Sequence, residues 1–396
     1  MDLAAELWWR GETVWFCEQD KYASSVLARH WPGAPVYKDV RTLVEDGACP
    51  VDVLCGGPPC VDLSCAGAQK GLHAERSGLF FDFVAAAAAL KPKWVFIENV
   101  PALLSKWRGT VEDALESAGY ASIVWAKVAA QHCGAPHKRA RVFVLASREG
   151  RMRGVCDAGP LPPVGRWPTP TSAGQRQGAG AGQRRMAGIE GGEVSLSNAV
   201  HPSAWPTPRA TEHKAMAWST PTVGFDGDNG VVALARKGRV SAILLGQQVS
   251  LAGWATPAAS DDRDRGDIMN TPAVQRRDAI GKQLGLSMQA GGKLSPLWVE
   301  TVQGLPVGWT DTEGESMRDE AMATAHAPQW PAPMVKGMWG DSPQHDHEPP
   351  RVVVGKLANR SARLRCLGNL NPPAQYLLAL KLLHEGPRQQ SLLGLC

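Results

Sequence analysis

The chain has 396 residues, 44% of them apolar, and a formal net charge of +4, enough for one large domain plus a smaller one but too little charge to argue for nucleic acid on bulk electrostatics. Its longest apolar run, Phe83 to Leu90, is mostly alanine and far too short to span a bilayer, and the first ten residues lack the charged and apolar stretches of a secretion signal, so no membrane is expected. Nine cysteines without regular spacing make no disulfide framework, which fits a reduced cytoplasm where a reactive thiol stays free.

Residues 1–147 read as alternating strands and helices. Val14 to Cys17 is a short apolar run ending at Glu18, and Tyr22 to His30 has helical periodicity. Val51 to Cys55 is a second strand-like run, closed by Gly56-Gly57-Pro58-Pro59 and followed by Cys60. Leu79 to Leu90 predicts a helix stopped by Lys91-Pro92, and Trp94 to Ile97 a buried strand ending at Glu98-Asn99. A helix over Val111 to Ala118 and strands over Ser122 to Val128 and Arg141 to Ala146 complete the set. This alternation predicts an α/β fold with a parallel or mostly parallel sheet, whose ligands sit at the carboxyl ends of the strands. Glu18, Cys60 and Glu98 each follow a strand-like run, so three reactive side chains are expected on one sheet edge.

After Arg148 proline and glycine become frequent. A W-x-T-P pattern recurs at Trp167, Trp205, Trp218 and Trp254, with a degenerate copy at Asn270-Thr271-Pro272. Such a repeat fits either stacked units or one loop-rich domain anchored by buried tryptophans. From Arg151 to Lys293 there are 17 Lys+Arg and 11 Asp+Glu, a net of +6 against −2 for the rest of the chain (4 − 6). That basic middle is compatible with a phosphate-contacting module or with a solvated, loop-rich region. Leu294 to Trp309 regains helical spacing, Thr310 to Pro350 is polar and reads as a linker or insertion, and a helix is expected from Ala374 to His384.

A cysteine after a Gly-Gly-Pro-Pro turn is a loop-held thiol, and its thiolate is the nucleophile. Arg139 and Arg141 supply positive charge, and Glu98 is a candidate proton donor. Such a pair can activate a pyrimidine. Adding a thiolate to carbon 6 of cytosine while protonating nitrogen 3 turns carbon 5 into an enamine carbon, able to attack an electrophilic methyl group. Cys55, Cys60 and Cys65 are evenly spaced, but no second pair or histidine cluster follows at ligand spacing, so no metal is expected. Taken singly, Cys60 could be a buried loop thiol and Glu98 a helix cap; the combination points to chemistry.

These residues resemble the cytosine-5 DNA methyltransferase family, in its phage and bacterial type, from Met1 to about Arg148 and again over 294–311 and 351–384. Pro59-Cys60 with Ser64, Ala66-Gly67 and Arg76-Ser77-Gly78-Leu79 is similar to the family's nucleophile and the mobile loop behind it, and Glu98-Asn99-Val100 to its glutamate motif. The resemblance makes Glu98 the residue that protonates nitrogen 3 and Arg139 and Arg141 the pair that supports the flipped cytosine and the glutamate. It implies S-adenosylmethionine as methyl donor: Glu18 on the ribose, Asp39 on the adenine amino group, and Pro59, Leu79 and Asn369 at donor-contacting positions. Leu305-Pro306-x-Gly308-Trp309 and Gly368-Asn369 are similar to the last two motifs. The implied fold is a Rossmann-like S-adenosylmethionine-dependent methyltransferase sheet with a smaller, irregular target recognition domain. The implied organisation is a catalytic domain over 1–148, a recognition domain over 149–293, a return segment over 294–311, a linker or insertion over 312–350, and a C-terminal segment over 351–396 completing the catalytic domain. The implied partner is double-stranded DNA, with a monomer as the default, a cytoplasmic location (the host's, if phage-encoded) and a restriction endonuclease counterpart possible.

Some residues depart from the family pattern. Val61 and His137 stand where glutamine is usual, and Leu370, Asn371 and Pro372 replace small and apolar residues. The family opens with a strand and a Phe-x-Gly-x-Gly loop that cradles the methionine end of the donor, and no Gly-rich loop precedes Glu18. The first strand is therefore expected to be missing, and two readings stand: a start further upstream, or a catalytically inactive, DNA-binding remnant.

Overall fold

The computed structural model describes residues 1–59, 78–149, 231–236, 239–244, 253–262, 284–334 and 342–393, with only the backbone described over 231–244 and beyond 384. Cys60, Ser64, Gly67 and Arg76, and the W-x-T-P copies other than Trp254, lie outside these residues. By contacts the chain divides into a unit of 1–154 with 216–396 and a second of 155–215, which lies outside the described residues.

A six-stranded sheet organises the first unit. Its strands are β3 (Val53–Gly56), β4 (Trp94–Asn99), β5 (Ser122–Ala129), β6 (Ala140–Ser147), β7 (Val231–Arg236) and β8 (Arg239–Leu244), in the order β3-β4-β6-β5-β7-β8. Before them, β1 (Phe16–Cys17) and β2 (Val36–Tyr37) form a separate parallel pair. The expectation of a mostly parallel sheet needs correction. β3 runs parallel to β4, but the β4–β6, β5–β6, β5–β7 and β7–β8 pairings are antiparallel. The cause is connection length: β5 and β6 are joined by one 3-10 turn, Ala130–Cys133, and a few loop residues. A parallel return needs a crossover of a dozen residues or more. No described strand lies on the free edges of β1 and β3.

Alternation along β4 explains its unbroken apolar run. Val95 and Ile97 point to the face covered by α3 (Leu79–Leu90), α4 (Ala102–Lys106) and α5 (Arg108–Ser117), where they meet Phe80, Phe83, Leu103, Val111 and Leu115. Trp94 and Phe96 point to the other face, against Ala4 of α1 (Asp2–Trp9) and the apolar side of the last helix, Pro373–Leu393. Covering both faces makes every strand position apolar, and burying each such side chain contributes roughly 1.5–3 kcal/mol.

A second core lies beside this sandwich, around α2 (Lys21–His30), α6 (Leu286–Gln289), α7 (Pro296–Val302), α8 (Arg318–Thr324) and α9 (Arg360–Asn369); the last helix is α10. Trp254 is an anchor of it, stacked edge-on against Trp298 at 4.9 Å between centroids and donating its indole N–H to the Ala332 carbonyl at 2.9 Å. Of the stretch after Thr310, expected to be a linker or insertion, Ala321 and Met334 pack into this core and Ala325 into the core on the sheet face. Ala321 and Ala325 are buried, Arg318 pairs with Glu6 at 3.0 Å, and the buried Glu348 accepts the Trp298 indole N–H at 3.0 Å. The fully buried Glu300 of α7 pairs with Arg363 of α9 at 3.0 Å and accepts the Gly308 and Thr310 amides at 2.6 and 2.8 Å.

His384 of α10 packs against Trp8, Trp9 and Trp94 at centroid distances of 5.1, 5.8 and 5.2 Å. Burial holds its pKa down at about 4, only partly offset by the bond to the Leu380 carbonyl. An unfolded histidine takes up a proton near pH 6.5. The stabilisation from the neutral ring is therefore complete above pH 6.5 and is lost as pH falls from there to about 4, by roughly 3 kcal/mol. Melting temperatures between pH 7.5 and 4.5 are expected to fall less steeply in His384→Phe than in the wild type; parallel curves would contradict this role.

Candidate functional site

The parallel register of β3 and β4 sets Gly56 opposite Ile97, so the chain leaving β3 runs past Glu98 and Asn99. The Asn99 side-chain amide donates to the Pro58 carbonyl at 3.1 Å, and its oxygen accepts the Val100 amide at 2.8 Å. A Cβ built on Gly57 would lie 3.2 Å from Glu98 Oε2. A glycine there lets the backbone pass against the carboxylate. The segment that leads through the buried Pro58 and the exposed Pro59 toward Cys60 thus leaves the sheet beside Glu98.

The antiparallel register sets Glu98 opposite Phe143, and Arg141, two residues earlier, faces the same way. Arg141 Nε reaches Glu98 Oε1 at 3.0 Å, with side-chain exposures of 21% and 16%. With both side chains so secluded, removal of either partner would leave a poorly solvated charge.

Arg139 sits two residues away, and its guanidinium goes elsewhere. Nη1 donates to the Pro257 carbonyl at 3.1 Å, Nη2 to the Gly368 carbonyl at 3.1 Å, and Nε to Asn371 Oδ1. Burial and the neighbouring Arg141 pull its pKa down to about 10, which leaves it charged at neutral pH. The backbone of Arg139 has φ of +28°; its N–H donates to Thr256 Oγ1 at 3.2 Å and its carbonyl accepts from Gln375 Nε2 at 3.0 Å. His137 is buried and bonds the Val302 carbonyl at 3.2 Å; burial first, then Arg139, holds its pKa at about 3. Of the two expected arginines, the structure brings Arg141 to Glu98 and engages Arg139 with the 256–257 and 368–371 segments.

Glu18 and Asp39 leave the carboxyl ends of the paired strands β1 and β2, with the Glu18 amide donating to the Tyr37 carbonyl at 2.9 Å. Glu18 Oε1 accepts the Asp20 amide at 2.8 Å. Both Asp39 oxygens accept from Arg41, the shorter contact at 2.6 Å, which holds the Asp39 carboxyl down at about 2. Helix α9, which ends at Asn369, approaches this edge: burial, then the charges of Asp20 and Glu18, push its Cys366 thiol up to about 12. Asn369 is exposed, and Leu79 opens α3. The sequence reading missed Thr256, Gln375 and Tyr376. Thr256 belongs to a W-x-T-P copy, a signal that was present; Gln375 and Tyr376, in an amphipathic helix, carried none.

A family model described as C-5 cytosine-specific DNA methylase matches residues 2–172. That match takes in the segments that carry Glu98, Arg139 and Arg141. The chain is similar to the type II methyltransferase M2.BsuMI of Bacillus subtilis, with 38% identity covering 33% of this chain and 35% of that protein. It is also similar to the type II methyltransferase M.Bsp6I of a Bacillus species, with 34% identity covering 37% of this chain and 49% of that protein. The chain thus spans between about a third and a half of the length of these curated relatives. Among solved structures, the Dnmt2 methyltransferase of S. pombe is similar with a TM-score of 0.44 and 14% identity, covering 99% of this chain and 95% of that one.

The Gly368-Asn369 pair has a steric reason for its glycine. A Cβ on Gly368 would lie 2.1 Å from the Ala258 carbonyl carbon and the Ala259 nitrogen, so α9 and the 3-10 turn Ala259–Asp262 touch backbone to backbone. Gly368→Ala is expected to destabilise by about 1–3 kcal/mol or more through overpacking. Gly109→Ala, in α5 with nothing within 4 Å, is expected to gain up to about 1 kcal/mol. Equal midpoints for the two variants in urea denaturation would contradict this account.

Proposed function

We propose that the chain transfers a methyl group from S-adenosylmethionine to carbon 5 of a flipped-out cytosine in a specific duplex sequence, through a covalent adduct with Cys60. The observation that carries this reading is Glu98, paired with Arg141 and set against the backbone that leads to Cys60. Extrusion from the stack would bring the base to the carboxyl ends of β3 and β4. The Cys60 thiolate adds to carbon 6 while Glu98 gives a proton to nitrogen 3, so the electron pair moves to carbon 5. When bound, the donor supplies the electrophilic methyl group. A base then takes the carbon 5 proton, and the thiolate leaves as the 5,6 double bond re-forms.

Arg141 keeps the Glu98 carboxyl group oriented toward the ring. Ser64, Gly67 and Arg76 match positions of the family's catalytic loop, which follows the nucleophile in sequence. Glu18 and Asp39, acceptors at adjacent strand ends, suit the ribose hydroxyls and the adenine amino group, with Pro59, Leu79 and Asn369 completing the donor site. The family match supports this assignment of the donor. The basic region over 149–293 reads base edges and phosphates, and the protein acts as a monomer in the cytoplasm. None of these roles calls for a metal.

Transfer of labelled methyl groups from S-adenosylmethionine to cytosine-containing duplex DNA tests the reading. The wild type is expected to transfer. Cys60→Ser is expected to lose at least ~10³-fold in rate, and Glu98→Gln about 10²–10⁴-fold. Transfer undiminished by Cys60→Ser overturns the role of Cys60. Duplex binding with neither transfer nor donor binding by calorimetry identifies a non-catalytic DNA-binding remnant.

A further inference from the structure

An arginine at φ of +28° sits in a backbone region that costs an L residue roughly 1–3 kcal/mol and persists only where its surroundings impose it. Arg139 is held on every side. Thr256 takes its N–H, Gln375 and Ala130 donate to its carbonyl, and three oxygens accept from its guanidinium. Two of those oxygens are backbone carbonyls, which follow the chain, and the third is Asn371 Oδ1, from a side chain 3% exposed.

The Asn371 amide is itself oriented. Its Nδ2 donates to the Tyr376 hydroxyl at 3.0 Å, which leaves Oδ1 for Arg139. Tyr376 packs edge-on against Phe143 and Phe96, at centroid distances of 5.5 and 6.3 Å, on the sheet face that carries Glu98 and Arg141. Arg139 directly precedes Ala140, where β6 begins, and the next residue is Arg141. A continuous chain of contacts therefore runs from Tyr376 through Asn371 to the Arg139 turn, and on to the Arg141–Glu98 pair.

We propose that Asn371 is a positioning residue: by holding the Arg139 guanidinium it fixes the left-handed turn from which Arg141 enters β6 and meets Glu98. This role rests on the methyl transfer proposed above. Asn371 touches neither Glu98 nor the chain leading to Cys60, and acts through Arg139 alone. A carboxylate at position 371 would still accept from Arg139, with the Tyr376 hydroxyl turning to donate, whereas a methyl group would accept nothing.

The test compares Asn371→Ala and Asn371→Asp with the wild-type chain by steady-state methyl transfer and by NMR of arginine-labelled protein, reading the Nε–H signal of Arg141. Asn371→Ala is expected to lower kcat about 10–100-fold, as sub-ångström misplacement of a reacting group does, with KM for DNA and donor within about twofold. It is also expected to speed solvent exchange of the Arg141 Nε–H, and Asn371→Asp to restore both. Unchanged kcat together with an unchanged Arg141 signal overturns the proposal, as does a loss that Asn371→Asp fails to rescue. Should Asn371→Ala not fold, Tyr376→Phe removes only the hydroxyl that orients the amide, with about a 3–10-fold loss of kcat and the same NMR change expected. Absence of transfer by the wild type contradicts the proposed function, and the Arg141 signal then still decides whether Asn371 sets the ion pair.

Discussion

A carboxylate at the end of a strand buried on both faces needs a cation, and the fold supplies one through strand pairing. Glu98 closes β4, and the antiparallel register with β6 places Arg141 on the same face, 3.0 Å away. Had β6 run parallel to β4, a different set of β6 residues would face Glu98, and the carboxylate would stand beside the turn toward Cys60 with no guanidinium fixed against it. The direction of one strand thus decides whether the site has an oriented acid or an unpaired charge.

The covering layers secure that arrangement from far along the chain. α10 packs on the β4–β6 face through Tyr376, Leu380 and Leu383, and Gln375 donates to the carbonyls of Val128 and Arg139 at 2.9 and 3.0 Å. It thereby bridges the end of β5 and the entry to β6. α9 reaches the Arg139 guanidinium through the Gly368 carbonyl. Residues more than two hundred positions apart thus share one structural task.

Much of this was legible in the sequence. The helix over Leu79–Leu90 has the expected bounds, because Lys91, in the left-handed region, and Pro92 stop it. β4 was legible because its apolar run is short, rich in aromatic and β-branched residues and set off by Lys91-Pro92, as a strand covered on both faces is. Strand direction was not, since hydrophobic period assigns faces and says nothing of polarity. Nor were the strands over 231–244 readable as additions to the catalytic sheet. The stretch after Thr310 read as a linker or insertion because its anchors are small alanines and a buried glutamate, Glu348, whose burial only its tertiary partners explain. Asn371 stood out as a departure from the family pattern, and its partner two hundred residues upstream gave it meaning.

The central claim is that the chain beside Glu98 delivers the nucleophile, Cys60, to a cytosine. Replacing the target with 5-fluorocytosine removes the proton that must leave before the thiolate can, so turnover would stop at the adduct. Peptide mapping by mass spectrometry, after incubation of the chain with such a duplex and S-adenosylmethionine, is predicted to find one modified residue, Cys60, carrying the methylated base. Attachment at any other cysteine, Cys17 or Cys133 for example, or an unmodified Cys60 in a sample that methylates ordinary cytosine, would contradict the account.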